Sequence, residues 1–309
     1  MAKRIRLALD WTPNTIHTGF YVAASKGYYD DAGLEVEFLL PDADNYTMSP
    51  AQKVAADLAD LAIVPTESII SFQTKADPVP LVAIATILAK DASAIVTRQD
   101  SGITRPAMLD GKRYASYRAR FEDAIVQQLV RQDGGRGELD ILHPPRLGIW
   151  DTLLRNEADA TWIFLPWEGI EARLQGVQLN VFQLKDYGIP YGYSPVIAGL
   201  ESFIRKKKVR KFLKASAKGF LFAKNNPIEA AELLRQAASH ATLQQQALVE
   251  QSQVFIAQYY FDENGNWGIM QHKVWADFLD WLNETAILSP TEMEKLDIYR
   301  LFTNELLEP

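Results

Sequence analysis

Short apolar runs alternate along the chain with longer segments whose apolar residues recur at helical spacing. Residues 4–9 (RIRLAL), 58–65 (LADLAIVP) and 79–88 (VPLVAIATIL) have the pattern of strands buried in a sheet. Helices are expected between them, from the loop 10–15 to about Lys26, over 50–59, and from about Thr66 to Gln73. Residues 27–40 fit a helix end, a turn at Gly33 and another strand. The pattern restarts beyond 90, with strands at 112–117, 138–143 and 159–166 and helices at 121–132 and 147–155. Later segments are mostly helical: 203–223, 227–237, 243–258, 271–285 and 291–298. Val274, Trp275, Phe278, Leu279 and Leu282 form one apolar stripe, which marks core rather than a site.

This alternation predicts an α/β chain with mainly parallel sheets covered on both faces, followed by a helical C-terminal part. Two units are expected: a discontinuous first lobe of residues 1–90 and 191–309, and a second lobe of 91–190 inserted into it. Chain crossings near 88–94 and 186–196 would act as a hinge. Ligands of open α/β sheets sit beyond the carboxyl ends of strands, so a ligand cleft between the lobes is expected.

Composition narrows the chemistry. The net charge of −7 argues against a general nucleic-acid or anionic-membrane binder. One basic run, RKKKVRK at 205–211, fits the solvated face of a helix. The absence of cysteine removes thiolate nucleophiles, disulfides and cysteine metal sites. His17, His143, His240 and His272 show no metal-ligand spacing, and there is no GxSxG elbow. No catalytic residue, metal or cofactor is therefore expected. No apolar run reaches the roughly 18–20 residues that span a bilayer, so direct membrane insertion is not expected. Asp10 interrupts the N-terminal apolar stretch, which does not fit a signal peptide. The expected location is extracytoplasmic if a leader has been removed, and cytoplasmic if Met1 is native.

Five segments hold candidate binding residues. In Asp10-Trp11-Thr12-Pro13-Asn14, with His17 just after, Trp11 offers a flat ring, and Asp10 and Asn14 offer hydrogen bonds. Helix capping by Asp10 or Asn14, with Trp11 in the core, fits the same spacing. His17 is either a base or a donor of a structural hydrogen bond. After Pro65, Thr66 and Ser68 suit a helix cap, and Glu67 suits a ligand amine. In residues 116–122, Arg118 and Arg120 suit either an anion or neighbouring acids. That segment lacks the glycines of a nucleotide loop. In TWIFLPWEG (161–169), Trp162 is expected to point into the sheet, and Trp167 and Glu168 toward a cleft. Tyr187, Tyr191 and Tyr193 of DYGIPYGYSP (186–195) either present rings from a hinge loop or pack.

The segments LALDWTPNTIHTGFYVAASKGYYDDAGLEVE, DATWIFLPWEGIEARLQGVQLNVFQLKDY and NWGIMQHKVWADFLDWL resemble the type II periplasmic binding proteins of thiamine-pyrimidine (formylaminopyrimidine) ABC importers. The resemblance runs over nearly the whole chain, and DWTPNTxH and WIFxxWEG are its specific parts. It implies the two-lobed type II fold, a small pyrimidine ligand and an ABC permease as partner. It further implies that Trp11 and one other ring, Trp167 or Tyr191, would sandwich the pyrimidine. Asp10, Asn14 and Glu67 would bond the ring nitrogens and exocyclic amine, and Tyr117 and Glu122 would line the second lobe. The family's loop before that helix is small and glycine-rich; SYRAR (116–120) departs from it, so Arg118 is either part of an anion site or a different rim.

The same superfamily includes thiamine pyrimidine synthases, which need a cysteine-rich iron motif and an active lysine and histidine. Here the corresponding segments are PYGYSP (190–195) and DLAIVPTESIISF (60–72), with none of these residues. Such an enzyme, and a binding protein for a sulfonate-like anion, are the alternatives to a non-catalytic pyrimidine binder.

Overall fold

The computed structural model describes residues 2–145 and 148–307. Ten strands run in chain order: β1 (Lys3–Ala8), β2 (Leu34–Leu39), β3 (Leu61–Val64), β4 (Leu81–Thr86), β5 (Ser93–Arg98), β6 (Arg113–Ala115), β7 (Asp140–Leu142), β8 (Ala160–Phe164), β9 (Leu179–Phe182) and β10 (Val196–Leu200). They form two five-stranded sheets and divide the chain into two units.

The first unit comprises Met1–Asp91, Gly192–His272 and Glu294–Pro309. Its sheet has the order β2-β1-β3-β10-β4. β1 pairs in parallel with β2 and β3, whereas β10 runs antiparallel to both β3 and β4. Every side chain of β3 and β4 is buried, as a sheet covered on both faces requires. The sheet is therefore mixed rather than mainly parallel, because the chain returns at Gly192 and inserts β10 in the reverse sense. Gly199 fits β10 into this packed position: a Cβ there would lie 2.8 Å from Leu61 and 2.9 Å from Ile204.

Glycine also sets the closest helix packing in this unit. On the helix Lys207–Asn225, a Cβ at Gly219 would lie 1.9 Å from the carbonyl oxygen of Gly19, on the helix Thr18–Ser25. The two backbones touch, and Phe220 fills the space beside Gly19, edge-on to Phe20 at 5.0 Å.

The second unit comprises Ala92–Tyr191 and Lys273–Met293. Its sheet has the order β7-β6-β8-β5-β9, parallel through β7, β6 and β8 and antiparallel at β5 and β9. Ala94, Val96, Trp150, Leu153, Ile163 and Ala172 form part of its core. Residues 273–293, expected with the first lobe, belong here. Phe278 packs edge-on to the Tyr191 ring at 5.5 Å, and Glu292 pairs with Arg120. Of the expected stripe, Trp275, Phe278, Leu279 and Leu282 are buried and Val274, at its edge, is half-buried. The helix expected over 147–155 spans Ile149–Leu154, and position 147 lies outside the described residues.

Candidate functional site

In the first unit, β1 delivers the chain into the loop 10–14, and Asn14 ends that loop as a helix cap. Its side-chain oxygen accepts from Ile16 N at 2.9 Å, and its amide donates to Thr12 O at 3.2 Å. The capping reading thus describes Asn14, whose amide oxygen is engaged within its own loop.

The cap also sets the chemistry of His17, a fully buried residue. Asn14 N donates to His17 Nδ1 at 3.2 Å, so Nδ1 carries a lone pair. The ring proton is then on Nε2, which donates to Asp10 Oδ1 at 2.8 Å. His17 does not reach solvent, and its place is behind Asp10, whose side chain is 28% exposed. Asp10 Oδ2 has no hydrogen-bond partner among the described residues. The loop therefore presents a carboxylate whose other oxygen is fixed.

Trp11 follows, half-buried, with the Tyr46 ring at 5.2 Å and a tilt of 54°. Sequence reasoning missed Tyr46. It sits at φ 58 directly after Asn45 at φ 53, two consecutive left-handed residues. A tyrosine there is strained by about 1–3 kcal/mol and persists only because its surroundings hold it. Those surroundings are visible. Asp42 bonds His240 Nε2 at 3.0 Å, Asp44 pairs with Lys53 at 3.0 Å, and Tyr46 N donates to Pro41 O at 2.9 Å. Thr242 Oγ1, in turn, donates to Pro13 O at 3.0 Å and ties the 240–242 turn to the loop that carries Trp11. The available signal was the polar stretch PDADNY, with Asn before an aromatic residue.

Glu67 is 5% exposed in the first turn of the helix Thr66–Thr74, where the helix dipole favours a carboxylate. Thr66 is not the cap. Pro65 occupies that position, and the Thr66 hydroxyl donates to the Tyr193 carbonyl. Tyr193 is itself buried, its hydroxyl accepting from Gln271 N at 2.9 Å.

In the second unit, Glu122 organises the loop before its helix. Oε1 accepts from Tyr114 Oη at 2.8 Å and Tyr117 N at 2.9 Å, and Oε2 from Ala119 N at 3.2 Å. Both oxygens serve the protein itself, and burial raises this carboxyl above its ordinary value. Arg118, at φ 61, donates to His143 O at 3.0 Å, and Arg120 pairs with Glu292 and lies over the Phe121 ring. The two arginines thus hold different partners.

Glu168 lies in the π-turn Leu165–Gly169, where Oε2 accepts from Phe164 N at 3.0 Å. Burial pushes its carboxyl up to about 7. The Tyr117 hydroxyl is raised far above its usual range, first by burial and then by the neighbouring Glu168 and Glu122. Trp167 is only 6% exposed, which leaves little ring to present. Tyr191 is half-buried, with Trp162 at 5.2 Å and Phe278 on another side. Trp162, expected inside the sheet, is half-buried beside this ring. Among the described residues no group of three or more His, Cys, Asp or Glu could hold a metal ion, and no helix is long and apolar enough to cross a membrane.

Two mixed sheets with covering helices give this chain the fold of type II periplasmic binding proteins. The alkanesulfonate-binding protein SsuA from Xanthomonas axonopodis pv. citri, solved with MOPS, superposes with a TM-score of 0.70 at 12% identity, covering 94% of this chain and 96% of that one. The model of the family described as NMT1/THI5 like matches residues 14–230, and the chain belongs to that family. It is 24% identical over 283 residues to the formylaminopyrimidine-binding protein of Halalkalibacterium halodurans, covering 90% of this chain and 84% of the relative. It is also 25% identical over 243 residues to a 4-amino-5-hydroxymethyl-2-methylpyrimidine phosphate synthase of Legionella pneumophila, covering 77% and 74%.

Proposed function

We propose that this protein is the substrate-binding component of an ABC importer and takes up a small flat aminopyrimidine, a thiamine precursor, without altering it. The observation that carries the reading is Asp10, held by buried His17 beside the Trp11 ring. A flat ring gains from stacking on tryptophan, and an exocyclic amine donates to a fixed carboxylate. Glu67, Tyr117 and Tyr191 are proposed as further ligand contacts; Asn14 and His17 act by positioning Asp10, and Glu122 by holding the Tyr117 backbone. The formylaminopyrimidine-binding relative supports the ligand class.

Two features favour binding over synthesis. The chain has no cysteine, and residues 60–72 contain no lysine or histidine to serve a Schiff base or an imidazole-consuming reaction. The sulfonate alternative has less support, because Arg118 and Arg120 already have protein partners. Mass spectrometry of small molecules released from the purified protein tests the reading. An aminopyrimidine is expected; stoichiometric pyridoxal phosphate would instead mark a synthase.

A further inference from the structure

The helix Lys207–Asn225 carries Lys207, Lys208, Arg210, Lys211, Lys214, Lys218 and Lys224 and no acid, in a chain of net charge −7. Its inner side is committed to the core through Val209, Phe212, Leu213, Ser216 and Phe220. Lys207, Lys211, Lys214 and Lys218 all stand at exposed positions. Their spacing of i, i+4, i+7 and i+11 makes one stripe about 16 Å long on the outer face.

The stripe continues past the helix start. Arg205 and Lys206 precede it, and Lys208 donates to the carbonyl of Arg4 at 2.6 Å, which brings Lys3 and Arg4 of β1 alongside. Few acids offset these charges. Arg205 pairs with Glu201, Arg4 with Glu37 and Lys26 with Glu229. Asp30 and Asp31 lie on the helix Tyr28–Asp31, which is held to the lysine helix by Tyr29 stacked on Phe212 and bonded to Ser216. Like charges four residues apart, as at 207/211 and 214/218, oppose helix formation. Within the protein, Lys211 donates to the Ala32 carbonyl at 3.0 Å and Lys218 lies over the Tyr28 ring, but no ion pair joins Lys207, Lys211, Lys214 or Lys218 to an acid among the described residues. Net charge averages the stripe away, which is why composition argued against an anionic surface as partner.

We propose that this lysine stripe docks the protein on the surface of an anionic lipid bilayer. The four exposed positions along the helix itself are all lysine, while Arg4 and Arg205 at its start are already paired with Glu37 and Glu201. Flexible stems carrying single charges suit a fluid array of headgroups, whereas arginine forks suit fixed carboxylates. Two exposed apolar residues, Leu221 on this helix and Ile228 at the start of the next, stand at one end of the stripe and match the boundary between headgroups and acyl chains. The apolar side of the helix is already covered, so it lies against the bilayer rather than in it.

Co-sedimentation with vesicles tests the proposal, using phosphatidylcholine alone and phosphatidylcholine with about a third phosphatidylglycerol. Binding is expected only to the mixed vesicles, and it weakens as salt rises. The quadruple variant Lys207→Glu, Lys211→Glu, Lys214→Glu, Lys218→Glu is expected to bind about a hundredfold less or weaker still. The four-arginine variant keeps binding, and Lys112→Glu with Lys185→Glu in the second unit leaves it unchanged. A four-glutamine variant, checked for its helical spectrum and melting temperature, replaces the charge reversal if that one fails to fold. Equal binding to uncharged vesicles, no binding to mixed vesicles, undiminished binding by a folded four-glutamine variant, or binding to an acidic polypeptide with none to vesicles would each overturn the proposal.

Discussion

Asp10 Oδ1 and His17 Nε2 lie 2.8 Å apart, and the imidazole that makes this bond is itself fixed by the backbone N–H of Asn14. One oxygen of a partly exposed carboxylate is thereby anchored from inside the protein. The helix cap, the buried histidine and the exposed acid act as one device.

Substitutions should separate the parts of that device. Asp10→Asn keeps the shape but removes a charged acceptor, and aminopyrimidine affinity is expected to fall by about 1.5–3 kcal/mol, with little change in melting temperature. His17→Leu touches no ligand, yet it leaves Asn14 N and Asp10 Oδ1 without their partner. Both affinity and stability should fall, stability by about 1–3 kcal/mol. Calorimetric titration with parallel thermal denaturation checks the pair of outcomes.

Tyr46 has a different signature. Tyr46→Gly removes the ring that leans on Trp11 but relieves a backbone at φ 58. Stability should change little, while ligand affinity drops by about 0.5–1.5 kcal/mol. Trp11→Ala should lower affinity further. A large loss of stability in Tyr46→Gly would show that the ring serves packing instead.

Gly219→Ala would place a methyl group 1.9 Å from the Gly19 carbonyl oxygen. The helices must separate, and destabilisation of about 3 kcal/mol or more is expected, read as a lower denaturant midpoint. Ala217→Gly on the same helix should cost only about 1 kcal/mol.

Glu168 gives a pH dependence. Its carboxyl is raised from 4.5 to about 7 by burial, so between these values the folded state holds a proton that the unfolded state has released. Its contribution is therefore complete below pH 4.5, declines as pH rises toward about 7, and is level above that. Glu122 and Glu171, also raised by burial, act with the same sign. Glu168→Gln should flatten this decline and stabilise the protein at alkaline pH, by up to the order of 3 kcal/mol at about 1.4 kcal/mol per unit. Denaturant midpoints across this window measure it.

Much of this structure was legible in the sequence, for stated reasons. β3 and β4 are short apolar runs bounded by turn residues, and they appear where the pattern put them. β10 was missed because Pro195 and Gly199 look like strand breakers; both are tolerated, since Pro195 stands before the strand and Gly199 fits a crowded contact. Residues 273–293 were placed with the wrong unit because periodicity identifies a buried face but not its partner. Asn14 was open between cap and ligand contact, and only the bond to Ile16 N shows the cap. Tyr46 was invisible because its position depends on a left-handed backbone pair anchored by residues distant in sequence, among them His240.

The most direct test of the central claim is calorimetric titration of the purified protein, freed of bound ligand, with formylaminopyrimidine and with hydroxymethylpyrimidine, and an alkanesulfonate as control. Saturable binding of at least one pyrimidine at micromolar affinity or tighter, about −8 kcal/mol, is expected, weakened in Asp10→Asn and absent with the sulfonate. No heat with either pyrimidine, or binding of the sulfonate alone, would contradict it.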